Sequence, residues 1–283
     1  MNSKSVKLGQ FELSIVSDGK FWLDGGAMFG VVPKVMWNKL NSADDLNRIE
    51  LGLNCLLIQT PDNNILVDTG IGEKLKERFK DIYRVERDFS FIEVLHRRGI
   101  EPGDIDKVIN THLHFDHCGG NTVKKDGKSV PTFPNAQYII QKQEWYDATH
   151  PNIRTKASYL KENFIPLEEN DQLLLVEGAY EVIKGVKVIV TNGHTQGHQS
   201  VLIESDRSKA IYFGDLIPTT SHIKIPYVMG YDLYPLELIK RKEDILKRAL
   251  SEHWLLIFEH DPEITFAYLI EKDGKQILEP AFQ

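Results

Sequence analysis

Thr111-His112-Leu113-His114-Phe115-Asp116-His117 sets four potential metal ligands within six residues, in the order H-x-H-x-D-H. The run Val108–Thr111 before and into it reads as a strand that delivers this cluster. An extended chain turns successive side chains to opposite faces, so His112 and His114, two apart, can aim at one point. Asp116 and His117 follow where the strand gives way to a loop, and the loop can turn them toward a second point.

Three further donors come later in the chain. They are His194 in Gly193-His194-Thr195-Gln196-Gly197-His198, Asp215 in Phe213-Gly214-Asp215, and His260 near the end. His194 follows the apolar run Val188-Ile189-Val190-Thr191, and Gly193 and Gly197 allow close backbone approach. Seven nitrogen and carboxylate donors suffice for two zinc-like ions. The expected assignment puts His112, His114 and His194 on the first metal. Asp116, His117 and His260 take the second, and Asp215 bridges, because a carboxylate can span two ions and an imidazole normally binds one. A hydroxide is expected as the other bridge, since metal binding lowers the pKa of water from about 15.7 to about 7. The expected metal is zinc, two ions per chain, with manganese, cobalt and iron(II) as alternatives.

The remaining histidines and cysteines read differently. His198 is expected to make a supporting hydrogen bond. His260 is preferred to His253 because it follows a buried strand. His96 and His150 read as surface or helix residues. Cys118 is not needed as a ligand, because the oxygen and nitrogen donors are complete without it, and Cys55 reads as a small buried hydrophobe. Asp68, in Leu66-Val67-Asp68-Thr69-Gly70, is either a turn cap or a carboxylate that orients the ligand loop.

The chain has 283 residues, 41% apolar and 27% charged, with a net charge of −7. That is ordinary globular composition, able to bury a core without disulfides. The acidic balance argues against a nucleic-acid partner, which wants a basic face. It does not exclude an anionic small molecule, because two divalent ions outweigh it locally. Two cysteines cannot build a disulfide framework. The segment Met1–Gln10 has no apolar signal core, and no run reaches membrane-spanning length, so a cytoplasmic protein without a membrane partner is expected.

One domain spanning 1–283 is expected, in two αβ halves of about 1–170 and 171–283. The expected strands are Phe11–Ser17, Leu53–Gln59, Ile65–Asp68, Val108–Thr111, Gln137–Gln141, Leu173–Val176, Val186–Thr191, Ser200–Glu204, Ala210–Gly214 and, as the last one, Trp254–Phe258. Helices are expected over Phe89–Arg98, Glu144–Ala148, Lys156–Asn163 and Pro235–Ser251, the last from the apolar face of Leu238, Ile245 and Leu246. With ligands at strand ends in both halves, the pattern predicts an α/β (α+β) fold of two sheets face to face, helices outside, and a site along one edge.

Several of these motifs together resemble the metallo-β-lactamase superfamily: Ile65–Gly70, Asp104-Ile105-Asp106-Lys107-Val108, Thr111–His117, Gly193–His198 and Gly214-Asp215. More narrowly, the stretch from Asp24 to Pro33, Pro151–Arg154 and Tyr231–Pro235 resemble the YtnP-type quorum-quenching lactonases and methyl parathion hydrolase. The resemblance implies a four-layer αβ/βα sandwich, a dinuclear zinc centre and a homodimer. It also implies a zinc-dependent hydrolase that opens N-acyl homoserine lactones. Some such lactonases carry a carbonyl-binding tyrosine three residues after the bridging aspartate. Pro218 stands there in this chain, and His222 is either its substitute or a loop histidine.

In the expected reaction a bridging hydroxide attacks the lactone carbonyl and Asp116 passes the proton to the leaving oxygen. Met28, Phe29 and Trp37 are either a wall for an acyl chain or core and dimer contacts. Competing readings are a phosphotriesterase or aryl esterase on the same centre, a glyoxalase-type thioesterase, a redox di-iron centre and a non-catalytic binding module. The thioesterase wants a cationic C-terminal patch, which is not evident. The di-iron centre wants more carboxylates and a flavin-binding domain, and complete ligands argue against a vestigial site.

Overall fold

Apolar side chains on the inner strands fall into two alternating sets, and that alternation builds the layers. The computed structural model describes residues 5–282. The chain opens with β1 (Ser5–Leu8), β2 (Phe11–Asp24), β3 (Arg48–Gln59), β4 (Asn64–Val67) and β5 (Lys107–Ile109). A separate hairpin follows, β6 (Thr122–Lys125) with β7 (Lys128–Pro131). Then β8 (Gln137–Gln141) and β9 (Leu173–Val176) complete a first sheet ordered β1-β2-β3-β4-β5-β8-β9. The second sheet runs in chain order through β10 (Tyr180–Ile183), β11 (Val186–Val190), β12 (Gln199–Ser205), β13 (Ser208–Tyr212), β14 (Leu255–Ile257), β15 (Phe266–Lys272) and β16 (Lys275–Pro280).

On β4, β5 and β8, Leu66, Val108, Tyr138 and Ile140 pack outward with Phe91, Leu95, Trp145 and Leu167 of the helices Phe91–His96, Lys142–Thr149 and Ile165–Glu169. Their neighbours Ile65, Val67, Ile109 and Ile139 point the other way, onto Val188, Val201, Ile203 and Ile257 of the second sheet. The far face of that sheet carries Ile211, Phe213 and Leu256 against Leu238, Ile245 and Leu246 of the helix Pro235–Ser251. Each such side chain, once fully buried, contributes about 1.5–3 kcal/mol. The order of layers is helix, sheet, sheet, helix: the αβ/βα sandwich that the sequence predicts.

Strand direction then places the site. β4, β5, β8 and β9 run parallel, as do β13 and β14, and β11 shares their direction because it is two antiparallel steps from β13. The chain leaving β4, β5, β11, β13 and β14 carries Asp68, His112, His194, Asp215 and His260 to one edge.

Four expectations need correction. Lys156–Asn163 is not a helix: turns occupy it, ending in a 3₁₀ turn at Lys161–Asn163, and the helix comes later at Ile165–Glu169. The Asn152 side chain accepts from Arg154 N and Thr155 N, a local bond that competes with helix formation. Leu173–Val176 pairs with β8, so the changeover between sheets comes after Val176 rather than near Asp171. The strand after Trp254 is not the last, because β15 and β16 follow as a hairpin. Asp273 and Gly274 form its turn with φ of 53° and 71°, a type I′ signal present in the sequence. Finally, β2 and β3 run further than expected, pairing as far as Asp24 with Arg48.

Among the described residues no helix is long and apolar enough to cross a membrane. The part of the N-terminal reading that falls on Met1–Lys4 lies outside the described residues.

Candidate metal centre

All seven expected ligands converge at that edge. His112, His114 and His194 form one donor group, and Asp116, His117 and His260 form another. Asp215 lies between them. Its Oδ2 is 3.1 Å from His194 Nε2, 3.6 Å from His117 Nε2 and 3.9 Å from His112 Nε2, and its Oδ1 is 3.3 Å from His260 Nε2. Asp116 Oδ2 stands 3.8 Å from His117 Nε2 and 3.9 Å from His260 Nε2.

Hydrogen bonds on the far side of each ring fix which nitrogen faces inward. His260 Nδ1 donates to the Gly52 carbonyl at 2.8 Å, and His194 Nδ1 donates to Asp232 Oδ1 at 2.9 Å. The Thr111 hydroxyl donates to Asp68 Oδ2 at 2.6 Å, so its oxygen accepts from His112 Nδ1 at 3.1 Å. The Nε2 lone pairs of these rings are therefore bare. His260 Nε2 lies 3.2 Å from His117 Nε2, and His194 Nε2 lies 3.1 Å from His114 Nδ1. Lone pairs that close repel unless positive charge lies between them. Two ligands held about 2.0–2.1 Å from one tetrahedral ion stand roughly 3.3–3.4 Å apart, and the separations here, 3.2 and 3.1 Å, are within about 0.3 Å of that. The buried His112 Nε2 and Asp215 Oδ1 have no hydrogen-bond partner, as ligand atoms should not. The donor sets fit a pair of divalent ions.

Electrostatics agree at His112 and Asp215, whereas the surrounding carboxylates, against the opposing effect of burial, hold His117, His194 and His260 above the ordinary histidine range, so protons occupy there the place that bound cations would take. Burial, and then the neighbouring imidazoles of His117 and His114, hold His112 well below the ordinary histidine range. Burial opposes ionisation of Asp215, but His194 and His117 keep its carboxyl well below the usual range. A neutral imidazole and an ionised carboxylate are the forms that bind metal.

The sequence signature of the metallo-β-lactamase superfamily matches residues 49–260, the span that holds all seven donors. The chain belongs to that superfamily. It is a hydrolase of this family, and its relatives are named accordingly. An N-acyl homoserine lactonase of a Bacillus species is 32% identical over 229 residues, covering 76% of this chain and 83% of that one. A probable metal-dependent hydrolase from Staphylococcus aureus superposes with a TM-score of 0.91 at 34% identity, covering 98% of this chain and 99% of that one. AidC, a dizinc quorum-quenching lactonase solved with N-hexanoyl-L-homoserine, shares the fold with a TM-score of 0.78 at 22% identity, over 98% and 97% of the two chains.

Other expected residues of this hydrolase separate by position. Asp68 is buried and bonded to the ligand loop: Oδ1 accepts Thr111 N at 2.7 Å, and Oδ2 accepts the Thr111 hydroxyl and lies 3.2 Å from His117 Nδ1. That favours the orienting role over the turn cap. His198 accepts Asp215 N at 3.0 Å and donates from Nδ1 to Thr191 Oγ1 at 2.8 Å, which fixes the backbone of the central aspartate. Gly193 and Gly197 are closely approached: a Cβ would lie 2.5 Å from Leu238 Cβ at the first and 2.2 Å from Glu144 N at the second. Cys118 donates its thiol to the Leu113 carbonyl at 3.3 Å, away from the donor atoms. His253 stacks on Tyr268, remote from the site.

His222 is not brought to the cavity. It is buried, its Nδ1 lies 2.7 Å from Thr219 Oγ1, its Nε2 lies 2.8 Å from the Met28 carbonyl, and its ring stacks on Phe29 at 4.6 Å. Both ring nitrogens are occupied, so the geometry gives it a structural place rather than a substrate-binding one. Phe29 and Trp37 stack on each other in the core, and only Met28 of the three expected wall residues lines the cavity.

Three carboxylates were missed. Asp232 orients His194, as above. Glu259, wholly buried, places Oε2 2.9 Å from His117 Nδ1. That is nearer than Asp68 but off the N–H axis, so the aligned hydrogen bond belongs to Asp68 and the Glu259 contact is electrostatic. Glu144 ties three loops together. It accepts Leu113 N at 2.9 Å, the Tyr159 hydroxyl at 3.0 Å and the Thr195 hydroxyl at 2.6 Å. Single acidic residues outside the ligand motifs gave no signal except that Asp232 lies in the Tyr231–Pro235 stretch.

A cavity of about 230 Å³ opens above the donor groups. Leu23, Met28, Phe115, Met229 and Leu233 give it an apolar wall, and Arg154, Thr155 and Ser158 a polar strip.

Proposed function

We propose that this chain is a zinc-dependent lactonase that opens the ester ring of N-acyl homoserine lactones. The observation that carries the reading is the pair of three-donor groups sharing Asp215 at the floor of a largely apolar cavity. The lactonase relatives support the choice of substrate. His112, His114 and His194 would hold one ion, Asp116, His117 and His260 the other, and Asp215 both. Bound there, divalent ions supply Lewis acidity toward the ester carbonyl and make water nucleophilic near neutral pH.

The chain's own groups do the rest. Asp232, Asp68 and Gly52 O fix the ring orientations of the ligands, so the donor atoms need no rearrangement. Asp116 lines the cavity and takes the proton of the attacking water. It returns that proton to the ring oxygen as the acyl C–O bond breaks. The apolar wall excludes water and receives the acyl chain. A homodimeric, cytoplasmic enzyme completes the reading; sedimentation of the pure protein tests the first and fractionation of source cells the second.

The test compares zinc-loaded protein on N-hexanoyl homoserine lactone and on an aryl phosphotriester by pH-indicator assay. Lactone turnover should exceed phosphotriester turnover, and Asp116→Asn should lower it by about 10²–10⁴-fold with the fold intact. Faster phosphotriester hydrolysis, or an unchanged rate in Asp116→Asn, would overturn the reading.

A further inference from the structure

Three segments meet on one side of the cavity mouth. Gly230 N donates to the Ala27 carbonyl at 2.7 Å, and Arg154 Nη2 donates to the Gly230 carbonyl at 2.8 Å. A Cβ on Gly30 would lie 2.9 Å from the Val228 carbonyl. Residues 27–40, 151–158 and 223–235 therefore form one face, and Met28, Ser158 and Leu233 carry each segment into the cavity. Outside the cavity this face leaves apolar side chains in water. Val31 is 91% exposed, Ile153 87%, Val35 75% and Met36 50%. Single exposed apolar residues are ordinary, but several on adjoining segments mark a surface that is covered in use.

Charge selects what covers it. The whole chain carries −7. These three segments carry Lys34, Lys39, Arg154, Lys156 and Lys224, all exposed, and a single carboxylate, Asp232, which is buried and bonded to His194. Asp24 and Glu237 flank the face in sequence, and Asp24 is engaged in capping the helix Gly25–Phe29. A second copy packed across a two-fold axis would set this face against itself, basic patch on basic patch. The complementary partner is anionic at its surface and apolar just beneath, which describes a bilayer of acidic lipids. At physiological salt a charge is felt over about 8 Å, so the acidic remainder of the chain is screened from a surface that this face touches.

We propose that this face docks the protein on an anionic lipid surface. Val31, Val35 and Ile153 enter the headgroup layer, the basic side chains meet lipid phosphates, and the cavity opens beside the acyl chains. The contact is peripheral and needs no spanning helix, so it revises the expectation of no membrane partner, which rested on the lack of a spanning run. It also goes beyond the lactonase reading, because an apolar ester of any kind dissolved in the bilayer would reach the cavity by this route. A homodimer would use another face.

The experiment sediments the zinc-loaded full chain with vesicles of phosphatidylcholine, and with vesicles of phosphatidylcholine and phosphatidylglycerol in equal parts. Binding should be at least tenfold stronger to the anionic vesicles and should fall away near about 1 M salt, where the screening length shrinks to about 3 Å. Each basic side chain near an anionic surface strengthens binding about fivefold, so Lys34→Glu with Lys156→Glu should weaken it at least tenfold. Val35→Ser with Ile153→Ser should weaken it at least tenfold as well. All four side chains are exposed, so both pairs of substitutions should keep the wild-type urea midpoint. Wild type that stays in solution with anionic vesicles, or that binds both vesicles equally, would overturn the proposal, as would binding that neither pair of substitutions weakens. A dimer dissociated by Val35→Ser with Ile153→Ser in the absence of vesicles would give the face to a second copy and overturn it too. None of these readings depends on hydrolysis, so the proposal and the lactonase reading stand or fall separately.

Discussion

Glu144→Met removes the carboxylate that ties the ligand loop to two neighbours while nearly keeping side-chain volume. Three donors lose their acceptor: Leu113 N, the Tyr159 hydroxyl and the Thr195 hydroxyl. A buried N–H left unpaired costs about 1–3 kcal/mol, and each lost hydroxyl bond about 0.5–1.5 kcal/mol, because a hydroxyl can rotate to another acceptor. Against this, the variant no longer buries a carboxyl, whose desolvation is enough to raise its pKa above the ordinary glutamate value. The expected net loss is about 2–4 kcal/mol. Glu144→Gln retains an acceptor for Leu113 N and should lose less than about 1 kcal/mol. Urea unfolding at a fixed zinc concentration measures both, since bound metal itself stabilises the folded chain. Leu113 lies between His112 and His114, so Glu144→Met should also weaken zinc binding, read by competition with a chromophoric chelator. Glu144→Met within about 0.5 kcal/mol of wild type, or glutamine as damaging as methionine, would refute the role given to this carboxylate.

Burial pushes the Lys242 ammonium down to about 7, while its Nζ donates to the carbonyls of Lys224 and Tyr227. Between about 7 and the ordinary 10.5 the unfolded chain binds that proton more readily than the folded one, so this residue makes stability rise with pH across that window. Paired urea titrations from pH 7 to 10 should show wild type gaining on Lys242→Met, and parallel curves would contradict this. Asp232→Ala frees His194 Nδ1 and should weaken zinc binding about 10- to 100-fold, measured by chelator competition; unchanged affinity would remove Asp232 from the site. Chelation should abolish hydrolysis and lower the melting temperature, and zinc should restore both with about two ions per chain by elemental analysis. A single ion at full activity would contradict the dinuclear reading.

The donor types and their order are legible because they are local. His112, His114, Asp116 and His117 lie within six residues; the alternation of an extended chain accounts for His112 and His114 facing together, while Asp116 and His117 are turned by the short helix Phe115–Cys118, which the sequence reading took as a loop. The helix Pro235–Ser251 is legible for the same reason, as its apolar face repeats within the segment that forms it. The hairpin at Asp273-Gly274 carried its own turn signal and was passed over. His222 was misjudged because nearness in sequence to Asp215 does not fix which way a ring points, and its ring turns onto Phe29 and the Met28 carbonyl instead.

From its sequence the protein declares what it can coordinate: imidazoles and carboxylates at fixed short spacings after β-rich runs, in a chain patterned for layered sheets. Which groups steady those donors is decided only by the packed molecule. Asp232 meets His194 across 38 positions, Glu144 meets Leu113 across 31, and the fold alone brings Glu259 against His117. A lone carboxylate leaves no periodic trace along a chain. Its partner is chosen when two sheets stack, strand ends meet at one edge, and every buried donor there must find an acceptor.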